Sequence, residues 1–229
     1  MFPTAKRVNG IPFLILAILA GVFGAAASPA ADSGGFKDLF DGKSLEGWKA
    51  YANDGPEVGW DKSAFSVKDG MLYCSGKGPD YWIVAPGTYA DVTLKLEYKL
   101  TGNANSGVFL RVPGNARPAF TGFEVQILGD HGDDPSSHSC GAIYDVLTPM
   151  RDMNRPSGEW NQYEITNKGS QIVVILNGFK VIDADFSQLT EPIGKFSFPY
   201  SQLPKQGFIG LQNHGGEIWF RNIQIKTLQ

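Results

Sequence analysis

The sequence predicts an all-β fold, a two-sheet antiparallel β-sandwich or jelly roll. Three observations predict it: more than ten short segments with strand character, hairpin dipeptides between them, and no long helical period after the N-terminal leader. Residues 91–100 show the pattern most fully. Val92, Leu94, Leu96 and Tyr98 point one way, and Thr93, Lys95, Glu97 and Lys99 the other, as in a half-buried antiparallel strand. Earlier in the chain, 64–67 and 71–74 flank Asp69-Gly70, a dipeptide suited to a two-residue type I′ turn because both positions tolerate positive φ. Strand-like runs follow at 107–112, 120–128, 142–147 and 160–166. Then 171–176 and 179–183 flank Asn177-Gly178, with Lys168-Gly169 a weaker turn signal before them, and 207–212 and 217–226 close the chain. The longest stretches without strand pattern are 129–140 and 148–159, and loops of that length in a compact domain tend to carry function.

The chain has 229 residues. Lys6 and Arg7, an apolar run at 11–23 and the small residues Ala25, Ala26 and Ala27 read as a signal peptide, with Ala30-Ala31 as a later cleavage option. The expected organisation is a leader over 1–31 and one β-sandwich domain over 32–229. Left uncleaved, the apolar run would be a membrane anchor; cleaved, it leaves no stable anchor and places the protein in a bacterial periplasm or outside the cell. Without Lys6 and Arg7 the chain carries 18 basic against 23 acidic residues and has no basic run, which argues against a nucleic-acid partner. An exported chain with two cysteines, Cys74 and Cys140, permits a disulfide, and two buried free thiols fit equally well.

Four segments place polar groups inside strand-like sequence. Period two puts Asn105, Phe109 and Arg111 on one face, Glu124 and Gln126 on another, and Gln212 with His214 on a third. His138 lies in the long loop that leads into Tyr144. A sandwich also has a solvent face where Glu and Gln alternate, so each segment alone fits plain surface. Together, amides, Arg, Glu and His interleaved with aromatics suit the concave face of a jelly roll that binds a polyhydroxylated ligand. In 130–134, three carboxylates and His131 make a divalent metal a candidate cofactor, against the simpler reading of a solvated acidic turn; His138 with His214 would be a second ligand pair.

Eight short motifs in order carry a resemblance: FKDLFDGKSLEGW at 36–48, NSGVFLR at 105–111, EVQIL at 124–128, GAIY at 141–144, EWN at 159–161, NG at 177–178, GLQNH at 210–214 and FRNI at 220–223. The chain resembles the 3-keto-disaccharide hydrolase family over nearly all of its mature length. The resemblance implies a concanavalin A-like jelly roll and an enzyme acting on a sugar already oxidised to a ketone at C3. Such a ketone acidifies the C2 hydrogen. A base removes it, the C1 substituent leaves by β-elimination, and water adds across the new double bond. The chemistry needs a base, a stabiliser for the enolate oxygen and a proton donor for the leaving oxygen. Glu124 or His138 is the candidate base, Arg111 or a metal the stabiliser, and His214 or Tyr144 the donor. Asn105, Gln126 and Gln212 would bind hydroxyls. The family often carries an acid directly after the EVQIL-type run, where this chain has Gly129 and then Asp130, so Asp130 is a displaced candidate.

Two other classes remain open. A conventional glycosidase needs paired carboxyl groups, and on the matching strand the second acid is the amide Gln126. A carbohydrate-binding module would bind without turnover.

Overall fold

The computed structural model describes residues 35–60, 64–114 and 117–229. The leader expected over 1–31 lies outside the described residues. Among the described residues, no helix is long and apolar enough to cross a membrane.

The strands, in chain order, are β1 (Lys37–Asp38), β2 (Lys49–Ala52), β3 (Glu57–Val58), β4 (Phe65–Lys68), β5 (Met71–Cys74), β6 (Tyr81–Val84), β7 (Val92–Leu100), β8 (Asn105–Val112), β9 (Phe123–Leu128), β10 (Asn161–Lys168), β11 (Gln171–Leu176), β12 (Phe179–Asp185), β13 (Phe208–Asn213) and β14 (Ile218–Thr227). A single helical turn, α1 (Pro118–Thr121), sits between β8 and β9. The larger sheet runs β12-β11-β10-β7-β14-β5-β4 with β1 paired to β14, and the smaller runs β3-β2-β6-β13-β8-β9. This is the two-sheet antiparallel sandwich that the alternation predicts.

The core lies between the inner faces. Leu94, Leu96, Tyr98, Ile165 and Val174 come from the larger sheet, and Ile83, Val108, Leu110, Val125, Ile127 and Leu211 from the smaller, in one buried cluster. The hairpin signals hold for a physical reason. Asp69 and Gly70 have φ of 50° and 75°, and Asn177 and Gly178 have φ of 52° and 83°, so both residues of each turn are left-handed.

The departures are local. The run expected from residue 120 begins as α1, because Pro118 presets a helical φ, and the strand starts only at Phe123. Residues 142–147 do not form a regular strand, since Asp145 turns the chain with φ of 63°. The segment before it still runs along the β9 edge: Gly141 N donates to the Gln126 carbonyl, Gln126 N to the Ala142 carbonyl and Tyr144 N to the Glu124 carbonyl, each at 3.0 Å. β6 and the short β1, β2 and β3 carry too little alternation to be read from sequence.

Both cysteines are free and buried. Cys74 Sγ lies 3.2 Å from Asn213 Oδ1, and Cys140 Sγ lies 3.0 Å from the Tyr98 hydroxyl. Burial pushes both thiols up to about 11. The two-free-thiol alternative is the one the structure takes.

Candidate active site

The outer face of the smaller sheet has two halves. Trp82, Val84, Phe109 and Val112 form a separate apolar cluster there, with Tyr51, Ala119 and Phe208 packed on it. Beside it Asn105, Glu124, Gln126, Gln212 and His214 line a cavity of about 240 Å³. Period two places these polar side chains outward while Val108, Val125, Ile127 and Leu211 enter the core. Loops then cover the polar half: α1 contributes Phe120, the 141–144 segment contributes Tyr144, and the loop before Tyr200 contributes Lys195. Covering explains why Glu124 and Gln126 are only 4% and 2% exposed, far from an ordinary solvent face.

Glu124 is the chemical centre. Its carboxyl lies across β8 at Gly107, where an added Cβ would come within 2.8 Å of Glu124 Cδ, so a glycine opens the space it occupies. Burial pushes its pKa up to about 8, opposed by the positive charge of Lys195. In the orientation that satisfies both ends of the Gln126 amide, its nitrogen donates to Glu124 Oε1 and to the Ser106 carbonyl, each at 3.2 Å, and its oxygen faces the Asn105 amide. Gln126 therefore orients the carboxyl. Gln212 Oε1 is buried with no hydrogen-bond partner, an acceptor free for a hydroxyl donor.

Lys195 is the cation of the cleft. Its Nζ lies 4.0 Å from the Tyr144 ring centroid and 4.5 Å from that of Phe120. Burial lowers its pKa, against the pull of Glu124 and Asp145. Asp145 fixes the loop: its Oδ2 accepts from Lys195 N at 2.6 Å. Also lining the cleft, His214 Nδ1 lies 2.8 Å from Asp80 Oδ1. A carboxylate on Nδ1 orients the ring and leaves Nε2 for a ligand.

Of the expected residues, Glu124, Gln126, Asn105, Gln212, His214 and Tyr144 meet in this cleft. Arg111 does not. Opposite β13 the register shifts, so Leu110 and Arg111 together face Ile209 alone. This β-bulge gives Arg111 a φ of 55° and breaks the alternation. Its guanidinium donates through Nη2 to the Gly169 carbonyl, in the turn between β10 and β11. Asp130 is also turned away from the cleft. Its Oδ2 accepts from Cys140 N at 2.9 Å and its Oδ1 from Asn154 Nδ2 at 3.2 Å, tying the two long loops together. His138 stands behind the cleft wall, edge-on to Tyr144 at 5.0 Å, with Nε2 3.1 Å from Asp145 Oδ1.

The acidic loop is likewise engaged in loop structure, with His131 Nδ1 2.7 Å from the Asn154 carbonyl and Asp152 Oδ2 accepting from Gly132 N at 2.7 Å. Among the described residues, no three His, Cys, Asp or Glu side chains gather as a metal group. Sequence reading missed Lys195, Asp80, Asn53 and Phe120, all cleft residues carried on loops or α1. The one local signal for Lys195 is the glycine before it: Gly194 has φ of 58° and packs against Asp145 with no room for a Cβ.

The fold and the cleft together define an all-β, two-sheet sandwich protein with a half-covered polar cleft on one outer sheet face, built around one buried carboxyl and a lysine. The chain belongs to the family described as the 3-keto-alpha-glucoside-1,2-lyase-like domain, whose model matches residues 35–226. It is 25% identical to a 3-keto-disaccharide hydrolase of Bacteroides thetaiotaomicron, over 86% of this chain and 80% of that protein. Among solved structures it is similar to a candidate glycosyl hydrolase from Parabacteroides distasonis, with a TM-score of 0.72 and 33% identity over 84% of this chain and 99% of the other. A carbohydrate-binding module from Bacillus subtilis shares the fold at a TM-score of 0.52 and 15% identity, covering 79% of this chain and 96% of that one.

Proposed function

We propose that this chain is a carbohydrate-active enzyme that cleaves 3-keto-glucosides or 3-keto-disaccharides by elimination and hydration. The observation that carries the reading is Glu124, a buried carboxyl raised to about 8 beside a lysine, on a strand whose next outward position is an amide. Family membership supplies the substrate class.

In this reading ionised Glu124 takes the proton from C2, and the electron pair passes to the C3 oxygen as an enolate. Lys195, with its ammonium beside Tyr144, stabilises that oxygen, the role first expected of Arg111. The C3 carbonyl then re-forms, a C1–C2 double bond forms and the C1–O bond breaks. The departing oxygen takes a proton from His214, whose ring Asp80 orients. Once the leaving group has departed, the proton on Glu124 exchanges with entering solvent; water adds to C1, C2 recovers a proton from Glu124, and His214 recovers one from the water. Both groups end as they began, and the net change is hydrolysis. Gln126 and Gln212 hold hydroxyls.

A conventional glycosidase would need a second acting carboxylate, and the cleft's other carboxylate, Asp80, is engaged with His214. Product analysis on a 3-keto-glucoside beside its unoxidised parent tests the reading: cleavage of the ketone alone supports it, equal rates favour the glycosidase, and binding without turnover favours a binding module. The reading also includes export after cleavage between Ala27 and Ala31. Intact-mass analysis of protein from the native envelope is expected to lack residues 1–27, and their retention would contradict this part.

A further inference from the structure

We propose that Asp145 is the positioning residue for Lys195: it locks the loop that carries the lysine to the strand that carries Glu124. The proposal rests on the elimination reading above, in which Lys195 faces the enolate oxygen.

The chain of contacts starts at Glu124. Its main-chain carbonyl accepts from Tyr144 N at 3.0 Å, so the residue before Asp145 is tied to β9 at the proposed base. Asp145 Oδ2 then accepts from Lys195 N at 2.6 Å. Two neighbouring residues therefore link the main chains of Glu124 and Lys195, and the Tyr144 ring adds a contact to Lys195 Nζ at 4.0 Å.

The contact is built into both loops. Gly194 packs on Asp145 so closely that a Cβ there would overlap both its carbonyl and its carboxylate. Asp145 itself holds φ of 63°, a left-handed conformation that is strained for a residue with a side chain and persists where its surroundings fix it. Those surroundings are on the page: Asp145 N donates to the Ser137 carbonyl at 2.8 Å, and Oδ1 lies 3.1 Å from His138 Nε2. One carboxylate oxygen serves each loop.

A carboxylate also does here what an amide could not. Its charge favours the ammonium form of Lys195, against the burial that disfavours it. An aligned, charged lysine matters most once negative charge has built up on the C3 oxygen. Loss of Asp145 should therefore fall on kcat rather than on KM.

The test is a double-mutant cycle, read as kcat and KM of the purified protein on methyl 3-keto-glucoside. Asp145→Asn keeps the size of the side chain and one acceptor oxygen, and asparagine tolerates positive φ. It is expected to lower kcat about tenfold with KM held within about twofold. In a Lys195→Met background the same substitution is expected to change kcat by less than about twofold, because a residue that acts through the lysine has nothing left to position. Gly194→Ala, which pushes on the same contact from the other loop, is the second variant should Asp145→Asn not fold, with the same two expectations. An unchanged kcat in the folded variant, a loss confined to KM, or an equal loss of kcat in both backgrounds overturns the positioning role alone. No turnover of the ketone by the natural chain overturns the elimination reading and the proposal with it.

Discussion

The outer faces of the two sheets follow the same alternation and end differently. On the larger sheet the polar residues are long cations and acids that meet one another in view of solvent. Lys95 pairs with Glu164 at 3.2 Å, Arg221 Nε with Glu97 at 2.7 Å, and Lys99 lies between the Trp160 and Trp219 rings at 5.2 and 5.0 Å. On the polar half of the smaller sheet's outer face the residues are the amides Asn105, Gln126 and Gln212 and one carboxyl, Glu124, covered by loops, with His214 at the exposed rim. No ion pair within 4 Å reaches Glu124 among the described residues, and Gln212 Oε1 has no partner. Charges on the first face satisfy one another. Glu124 and Gln126 on the second are held buried, with Glu124 unpaired by any close cation, which costs stability and is the condition of a site.

The sharpest way to break this contrast is Glu124→Gln. It keeps the shape of the side chain and is expected to lower turnover of a 3-keto-glucoside about a thousandfold while the circular dichroism spectrum stays unchanged. Gly107→Ala attacks the same carboxyl from below. It should cost about 1–3 kcal/mol of stability by overpacking and reduce activity as well, read by thermal denaturation beside kinetics.

Next comes Lys195→Met, expected to reduce kcat/KM about a hundredfold by removing the charge beside the enolate. Here pH adds a signature. As a base, Glu124 must be ionised, so kcat/KM should rise with pH through about 8. Losing the Lys195 charge, which holds that pKa down, should move the rise to higher pH. Activity that falls through the same range would exchange the acid and base roles.

Stability offers a third test with the opposite sign. Glu124 has an ordinary value of 4.5 and a folded value of about 8, so between those pH values the unfolded chain binds fewer protons than the folded one. Stability therefore falls as pH rises through that window, by a few kcal/mol at roughly 1.4 kcal/mol per unit. Urea denaturation at pH 5 and pH 8 should show the drop in the natural chain and lack most of it in Glu124→Gln.

The smallest effects belong to the larger sheet and to Arg111. A double-mutant cycle on Lys95 and Glu164, whose side chains are more than a third exposed, should give less than about 1 kcal/mol with no change in kinetics. Arg111→Met should lose about 1–3 kcal/mol of stability, from the partly buried bond to Gly169, and leave kcat/KM nearly unaltered. A large kinetic loss there would return Arg111 to the mechanism.

Much of the fold and half of the site were legible because period two carries them. Strands such as 91–100 and the pairs Glu124 with Gln126 and Gln212 with His214 need only alternation. Arg111 was misplaced by the same rule, since a bulge set by pairing with β13 has no local sequence mark. Lys195, Asp80 and Asn53 were invisible because loop residues acquire neighbours only through the tertiary fold. Trp82 stayed hidden too: β6 is four residues long, and its outward side chains are as apolar as its inward ones.

The central claim is that the C2 hydrogen leaves during turnover. Running the reaction in D₂O on a 3-keto-glucoside and examining the released sugar by NMR tests it most directly. The account predicts deuterium at C2 of the product and faster cleavage of the ketone than of the parent glucoside. Full retention of the original C2 hydrogen, with equal rates on both substrates, would contradict it.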